Sequence, residues 1–196
     1  ADVALAKVTN AVGAKISADA FALAEVTYGS AEAEAEAYGI DQDLDIGDGP
    51  SSTAMVANDG TVMAVSEAKA FAGARAEGDV EAVGVRQDID DGLDALAEVT
   101  NAAGAIISAK GTGLAQVTYS SATVWVDATG IDQDVEGDDP RSVTAKAENS
   151  GLVEANAKGT ATAGAWSEAD VEAYGIKQEA DSDDEAIDVL AEATNH

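Results

Sequence analysis

Acidic residues cluster at four places in this 196-residue chain, and carboxylates are the residues whose spacing best suits a chemical role. Each cluster follows the motif Gly-(Ile or Val)-x-Gln, first seen at residues 39–42. Ca²⁺ takes about six to eight oxygen ligands, and alternate carboxylates in a Gly-containing turn can supply several. The spacing predicts bound Ca²⁺ in these acidic turns, with a solvated acidic turn as the alternative. The candidate ligands are Asp41, Asp43, Asp45, Asp48, Asp88, Asp90, Asp91, Asp132, Asp134, Glu136, Asp138, Asp139, Glu179, Asp181 and Asp183.

Residues for other kinds of chemistry are scarce. The chain has no Cys, and its one His is residue 196. It offers no Ser/His pair, no thiolate metal site and no Gly-rich phosphate loop between a strand and a helix. We therefore expect no catalytic residues, no enzymatic activity and no organic cofactor.

The charge balance narrows the range of partners. Acidic residues outnumber basic ones 38 to 10, which gives a formal net charge of −28. So negative a chain is a poor partner for nucleic acid or for anionic membrane surfaces. The sequence also lacks an apolar run of about 18 residues, so we expect no membrane insertion.

The sequence is a tandem duplication with an offset of 91 residues. Residues 5–11 (LAKVTNA) return as residues 96–102 (LAEVTNA), and residues 23–28 return as residues 114–119. Each half divides again, so that there are four units of about 45 residues and the start of a fifth. The recurring markers are an Asn ladder (Asn10, Asn58, Asn101, Asn149, Asn195), a Gln ladder (Gln42, Gln87, Gln133, Gln178) and a Gly series (Gly39, Gly84, Gly130, Gly175).

The positions of the small residues favour strands over helices. Residues 31–37 (AEAEAEA) are good helix formers, yet strict alternation places every Ala on one face only in a strand. The same parity recurs in residues 18–26, 68–76, 109–117 and 155–165, so we predict three strands per unit. The segment 182–194 is the least certain to be a strand, because Ser182 and Glu185 match a helical capping box.

These patterns predict an all-β fold: a β-solenoid-like stack of four three-strand units with a partial fifth and a narrow Ala/Gly core. The alternative is two tandem β-sandwich domains. Residues 1–92 and 93–186 form the two tandem repeats, and residues 187–196 form a partial unit that caps the stack or exchanges between chains. Because Gly39 and its equivalents sit where the small-residue parity changes, we expect a bulge or corner there.

The Asn and Gln ladders, set among small residues and Gly, resemble those of secreted bacterial β-repeat proteins, including curli-like functional amyloids and repetitive adhesin segments. The resemblance covers the whole chain, although the period of about 45 residues is longer than that of curli repeats. It implies an extracellular or cell-surface location and a role in a fibre or biofilm matrix. No binding residue carries over from the resemblance.

The leading functional prediction is an extracellular structural protein that assembles head to tail with copies of itself into a β-rich fibre. Residues 5–10 and 190–195 carry the same strand motif, and an uncapped strand can template another chain. Stacked carboxylates would repel, so we expect Ca²⁺ or salt to stabilise the fold. The alternatives are a calcium-stabilised module of a surface adhesin and an ice-binding solenoid, the latter suggested by Thr9, Thr27, Thr100 and Thr118.

Overall fold

The fold is all-β and consists of parallel strands in three sheets. The computed structural model describes residues 3–45, 51–90, 92–137, 142–182 and 188–196. Sheet A contains β1 (Val3–Asn10), β4 (Ser51–Asn58), β7 (Asp94–Asn101), β10 (Ser142–Asn149) and β13 (Asp188–Asn195). Sheet B contains β2 (Lys15–Val26), β5 (Thr61–Ala72), β8 (Ile106–Val117) and β11 (Leu152–Thr162). Sheet C contains β3 (Ser30–Asp45), β6 (Arg75–Asp90), β9 (Ser121–Gly137) and β12 (Trp166–Ser182).

The chain visits sheets A, B and C in turn and then repeats the circuit one strand higher. We call each circuit a coil: coil 1 is residues 3–45, coil 2 is 51–90, coil 3 is 94–137 and coil 4 is 142–182. Neighbouring coils pair in register, so that Asn10 lies opposite Asn58 and Gln42 opposite Gln87. The predicted solenoid-like stack is confirmed. All three sheets run without interruption through every coil, which excludes two separate β-sandwiches.

Sheet C is the long side of the stack. The first half of each of its strands packs against sheet B, and the second half packs against sheet A. The corner where the three sheets meet is filled by one Val, Ile or Ala side chain from each sheet, such as Val56, Val62 and Val85 in coil 2. This arrangement explains why strands of about 16 residues alternate with strands of 8 and 12 residues.

The Gly series lies at this corner. The residue facing the interior changes from odd to even between Ala37 and Ile40, and the ladder of residue pairs skips Gly39. A Cβ atom on Gly84 would lie 2.6 Å from the carbonyl oxygen of Gly130 and 2.7 Å from a methyl group of Ile107. The corner therefore requires glycine because backbone and side chain approach too closely for a Cβ atom.

The interior between sheets B and C is narrow. Ala lines most of it, and in coils 3 and 4 Gly of sheet B lies opposite Val of sheet C. A Cβ atom on Gly113 would lie 2.6 Å from Val124, and one on Gly159 would lie 2.7 Å from Val171. Small and large residues are thus matched across the two sheets, as close packing requires.

The turns between sheets A and B alternate in length. Four residues make the turn in coils 1 and 3 (11–14 and 102–105), and two residues make it in coils 2 and 4 (59–60 and 150–151). The short turn nests against the long one, since a Cβ atom on Gly60 would lie 2.4 Å from the carbonyl oxygen of Ala14. The 91-residue duplication is therefore a pair of unlike coils.

The segment with the capping-box motif contains β13, a strand that pairs in register with β10. The capping residues Glu185 and its neighbours 183–187 lie outside the described residues. The described chain contains strands, turns and bends, and it has no helix long and apolar enough to cross a membrane.

Candidate functional site: the acidic outer face of sheet C

Most of the charge of the described strands lies on one surface. The four strands of sheet C contain 20 acidic and three basic residues. The strands of sheet A contain five acidic and two basic residues, and those of sheet B contain four of each. Alternation places Ala, Val and Ile of sheet C inside, so the carboxylates point outward. The outer face of sheet C is therefore the candidate functional surface.

In-register stacking turns the acidic residues into rows that run along the stack. Two rows are acidic in all four coils. Neighbouring strands lie about 4.8 Å apart, so a carboxylate in the middle coils has like-charged neighbours above and below it. The rows are Glu36–Glu81–Asp127–Glu172 and Asp43–Asp88–Asp134–Glu179, and two further acidic pairs lie beside the second row, Asp45–Asp90 and Glu136–Asp181.

A third row alternates in sign and lies between the acidic rows. It consists of Asp41, Arg86, Asp132 and Lys177. The Arg86 guanidinium donates to Asp88 at 2.7 Å, and Lys177 lies 3.9 Å from Asp132. Since each cation lies in the strand next to an Asp of the same row, this row reduces the repulsion at the middle of the face.

Tyr38 contacts both the alternating row, through Arg86, and the acidic row that contains Glu81. Its hydroxyl donates to Glu81 at 2.6 Å, and the Arg86 guanidinium carbon lies 5.7 Å from the centre of its ring. Partial burial, together with the bond to Glu81, raises the pKa of the Tyr38 hydroxyl. Tyr38 is thus a neutral donor among carboxylates at all physiological pH values.

The crowding raises the pKa values of several carboxyl groups. Desolvation is the largest cause for Asp90 and Asp134, followed in both by the charge of Asp88. Desolvation also raises the pKa of Glu36, Asp127 and Asp132, with Lys177 opposing the shift at Asp132. One oxygen of Asp134, Oδ1, is buried with no hydrogen-bond partner among the described residues. When these carboxyl groups are ionised, their desolvation and mutual repulsion therefore lower the stability of the fold.

The structure places the predicted calcium ligands on strands rather than in turns. Asp41, Asp43 and Asp45 lie in β3, and their equivalents in β6, β9 and β12 share the same outward face. Side chains two residues apart on a strand point in parallel, so they form rows and do not wrap around one ion. Within the described ranges, no three acidic or His side chains converge as a metal-binding group. Asp48, Asp91, Asp138, Asp139 and Asp183 lie outside those ranges.

The Asn ladder lies inside the stack, at the turn from sheet A to sheet B. Asn10 Nδ2 donates to Asn58 Oδ1 at 2.8 Å, and the same bond repeats up to Asn195. The second N–H of Asn10, Asn58 and Asn101 donates to the backbone at the start of the next strand of sheet B, as from Asn58 to Ile106 O at 3.1 Å. These three residues thus satisfy their own buried amides and tie two sheets together.

The Gln ladder joins sheet C to sheet A, and its side-chain hydrogen bonds run in the direction opposite to those of the Asn ladder. Gln87 Nε2 donates to Gln42 Oε1 at 2.9 Å, and Gln133 Nε2 donates to Gln87 Oε1 at 2.8 Å. Each amide also donates to a backbone carbonyl of sheet A, such as Lys146 O for Gln133 at 3.1 Å. Donors therefore point toward coil 4 in the Asn ladder and toward coil 1 in the Gln ladder.

The alternating row and the separation of charge between the faces were not among the features predicted from the sequence. A signal for the row was present, since Asp41 and Asp132, and Arg86 and Lys177, are each 91 residues apart. All four residues are the variable position of the Gly-(Ile or Val)-x-Gln motif, so an in-register Gln ladder already places them in one row.

Comparison with known proteins identifies no relative: no protein-family model, no curated protein and no solved structure matches the chain.

Proposed function

We propose that this protein is an extracellular structural protein whose stacks join end to end into a β-rich fibre. The supporting observation is the state of the stack ends. Within the described residues, β1, β2 and β3 pair on one side only, and so do β11, β12 and β13. Edge strands of this kind present rows of backbone N–H and C=O groups that can pair with another copy.

The amide ladders give such a junction a direction. Asn195 accepts from Asn149 at 2.8 Å, and its own Nδ2 continues the line of donors toward the end of the stack. The Asn at the opposite end, Asn10, donates inward to Asn58. A second copy that adds in the same orientation, with its β1 paired to β13, extends the Asn ladder, whereas a reversed copy opposes donor to donor. This junction pairs the two copies through sheet A, because sheet A has five strands and sheets B and C have four each. Head-to-tail addition follows from this polarity.

Fibre formation is tested by electron microscopy and light scattering over a range of protein concentrations. The informative variant is Asn195→Asp, because the carboxylate still accepts from Asn149 and loses only the donor that faces the stack end. One unsatisfied group costs about 1–3 kcal/mol, so the concentration needed for assembly rises about 5- to 150-fold. Thr194→Asp adds the same charge on the adjacent outward position and serves as the matched control.

Two results of this experiment would contradict the proposal. Equal assembly of the two variants would contradict the role of the Asn ladder in the junction. Monomers at every concentration and salt condition for the unmodified chain would refute the fibre itself.

A second proposal concerns cations, and the row containing Asp134 favours it. Four carboxylates in line, one with a buried unpartnered oxygen, form a surface that divalent cations stabilise by bridging neighbouring strands. This property suits the fibre, and it equally suits a calcium-stabilised module of a larger adhesin. A calcium-dependent monomer that binds a surface would favour the adhesin.

The cation proposal is tested by thermal unfolding in CaCl2, MgCl2 and NaCl at matched ionic strength. Ca²⁺ raises the melting temperature beyond the NaCl value, and Asp134→Asn reduces that increment. Asp59→Asn, in a turn away from the rows, keeps the increment and is the control. If all three salts act alike, only screening operates and no site-bound cation is involved.

A further inference from the structure

The outer face of sheet B differs from the rest of the surface because its charges balance. Lys15, Lys69, Lys110 and Lys158 match four acidic residues of the same sheet: Asp19, Glu25, Glu67 and Glu154. Sheet C carries an excess of 17 negative charges in its strands and sheet A an excess of three. Two copies that approach through sheet B therefore avoid the repulsion that arises when two copies meet through sheets A or C.

The same face presents apolar side chains to solvent. Phe21 and Leu23 of β2 are 61% and 52% exposed. Phe71 and Leu114 occupy outward positions of β5 and β8 and are half-buried among their neighbours. Lys69 lies 5.4 Å from the centre of the Phe21 ring and 2.5 Å from Glu67, so the cation covers an aromatic and pairs with an acid at once. Aromatic and aliphatic groups among paired charges are typical of protein interfaces.

The area of the face suits a dimer. Strands of 11 or 12 residues extend about 40 Å, and four strands span about 19 Å. The product is about 750 Å² for each partner, close to the roughly 800 Å² that each partner buries in a standard-size complex. A larger partner is not needed to cover the face.

We infer that the outer face of sheet B is a lateral interface at which two copies of this chain pack sheet against sheet. A two-fold axis parallel to the stack makes the facing strands antiparallel. It places Lys15 at the start of one β2 opposite Glu25 at the end of the partner's β2. The two stacks keep the same direction in this dimer, so their head-to-tail polarity and their acidic C faces, turned outward, are retained.

The interface is tested by sedimentation equilibrium in the Asn195→Asp background, which suppresses growth at the stack ends. Leu114→Glu places a carboxylate in the centre of sheet B and raises the dimer dissociation constant about tenfold or more. Leu96→Glu is the matched control, because Leu96 is an equally half-buried, outward Leu of the same coil on sheet A. Circular dichroism establishes that both variants fold.

Cross-linking locates the contact, since the chain has no native Cys. Thr112→Cys lies in the middle of sheet B and Thr144→Cys lies on sheet A of the next coil. With a bifunctional thiol-reactive cross-linker that spans the ~10 Å between two packed sheets, the first variant yields covalently linked dimers and the second stays monomeric. Equal weakening by both Glu variants, equal cross-linking of both Cys variants, or a concentration-independent monomer would each overturn the inference. A dimer that cross-links only through Thr144→Cys would place the interface on sheet A.

Discussion

Substituting the corner glycine in the middle of the stack, Gly84→Ala, is the sharpest test of the packing described above. The added Cβ atom would lie 2.6 Å from Gly130 O and 2.7 Å from an Ile107 methyl group. Both neighbours must retreat by about 1 Å to reach an ordinary contact distance. Gly130 belongs to the next strand of a sheet whose spacing is fixed near 4.8 Å, so the retreat disrupts the ladder on both sides.

The cost of this substitution follows from two contributions. Overpacking costs about 1–3 kcal/mol, and weakening one ladder hydrogen bond costs about 1 kcal/mol more. We expect a loss of about 2–4 kcal/mol in the free energy of unfolding. For a chain of this size that corresponds to a decrease of about 5–15 °C in the melting temperature.

The matched control is Gly175→Ala. It occupies the same corner in coil 4, and a Cβ atom there would meet nothing within 4 Å. Its effect is close to zero or slightly stabilising, because Ala restricts the unfolded chain. Equilibrium urea unfolding, followed by circular dichroism at a concentration where the chain is monomeric, measures both variants. Equal stabilities for the two, within about 0.5 kcal/mol, would refute the explanation of the corner by close approach.

Three further outcomes are expected. Asn101→Leu leaves one N–H of Asn58 and the Leu152 carbonyl without a hydrogen-bond partner, and it lowers the free energy of unfolding in urea by about 2–5 kcal/mol. The control Asn195→Leu lies at the end of the ladder and costs about 1 kcal/mol or less. Similar losses for the two variants would contradict the stabilising role of the ladder. Arg86→Gln lowers the melting temperature at low salt and much less at high salt, because salt screens the charges that Arg86 compensates. The control Arg75→Gln, at the start of β6, lowers the melting temperature less than Arg86→Gln does. A loss for Arg86→Gln that does not depend on salt would contradict charge compensation. Because the raised carboxyl pKa values of sheet C favour the protonated form in the fold, stability rises as the pH falls from neutral toward the ordinary Asp pKa of 3.8. A melting temperature that falls steadily over this range would contradict the predicted sign.

The sequence predicted the architecture because its strongest signal, the parity of small residues, is itself a packing requirement. Ala31 to Ala37 face the interior as alternation demands, and the parity change at Gly39 marks the corner that the structure shows. The alternation of residues was not applied to Asp41 and Asp43, which the calcium-like spacing of their carboxylates predicted to lie in a turn. In the structure, inward Gln42 and Leu44 hold these Asp residues in a strand. Burial of alternate neighbours therefore determines the local conformation.

The distribution of charge over the outer faces could not be predicted from the sequence for a different reason. Which strand lies beside which depends on the route of the chain through three sheets, and the residue spacing specifies the repeat but not that route. Lys15 and Lys158, for example, gain a common surface only because sheet B collects one strand from every coil. Charge separation between faces is therefore a property of the topology.

The alternation of long and short turns also restricts how such a chain can change in length over evolution. The short turn at Gly60 fits only against the carbonyls of a long turn, Ala11 and Ala14, and Gly151 fits in the same way against Ala102 and Ala105. Loss or gain of a single coil would place two long turns or two short turns side by side and leave one without its counterpart. The packing of the turns therefore favours gain or loss in steps of two coils, and the duplication within the chain has this period of 91 residues.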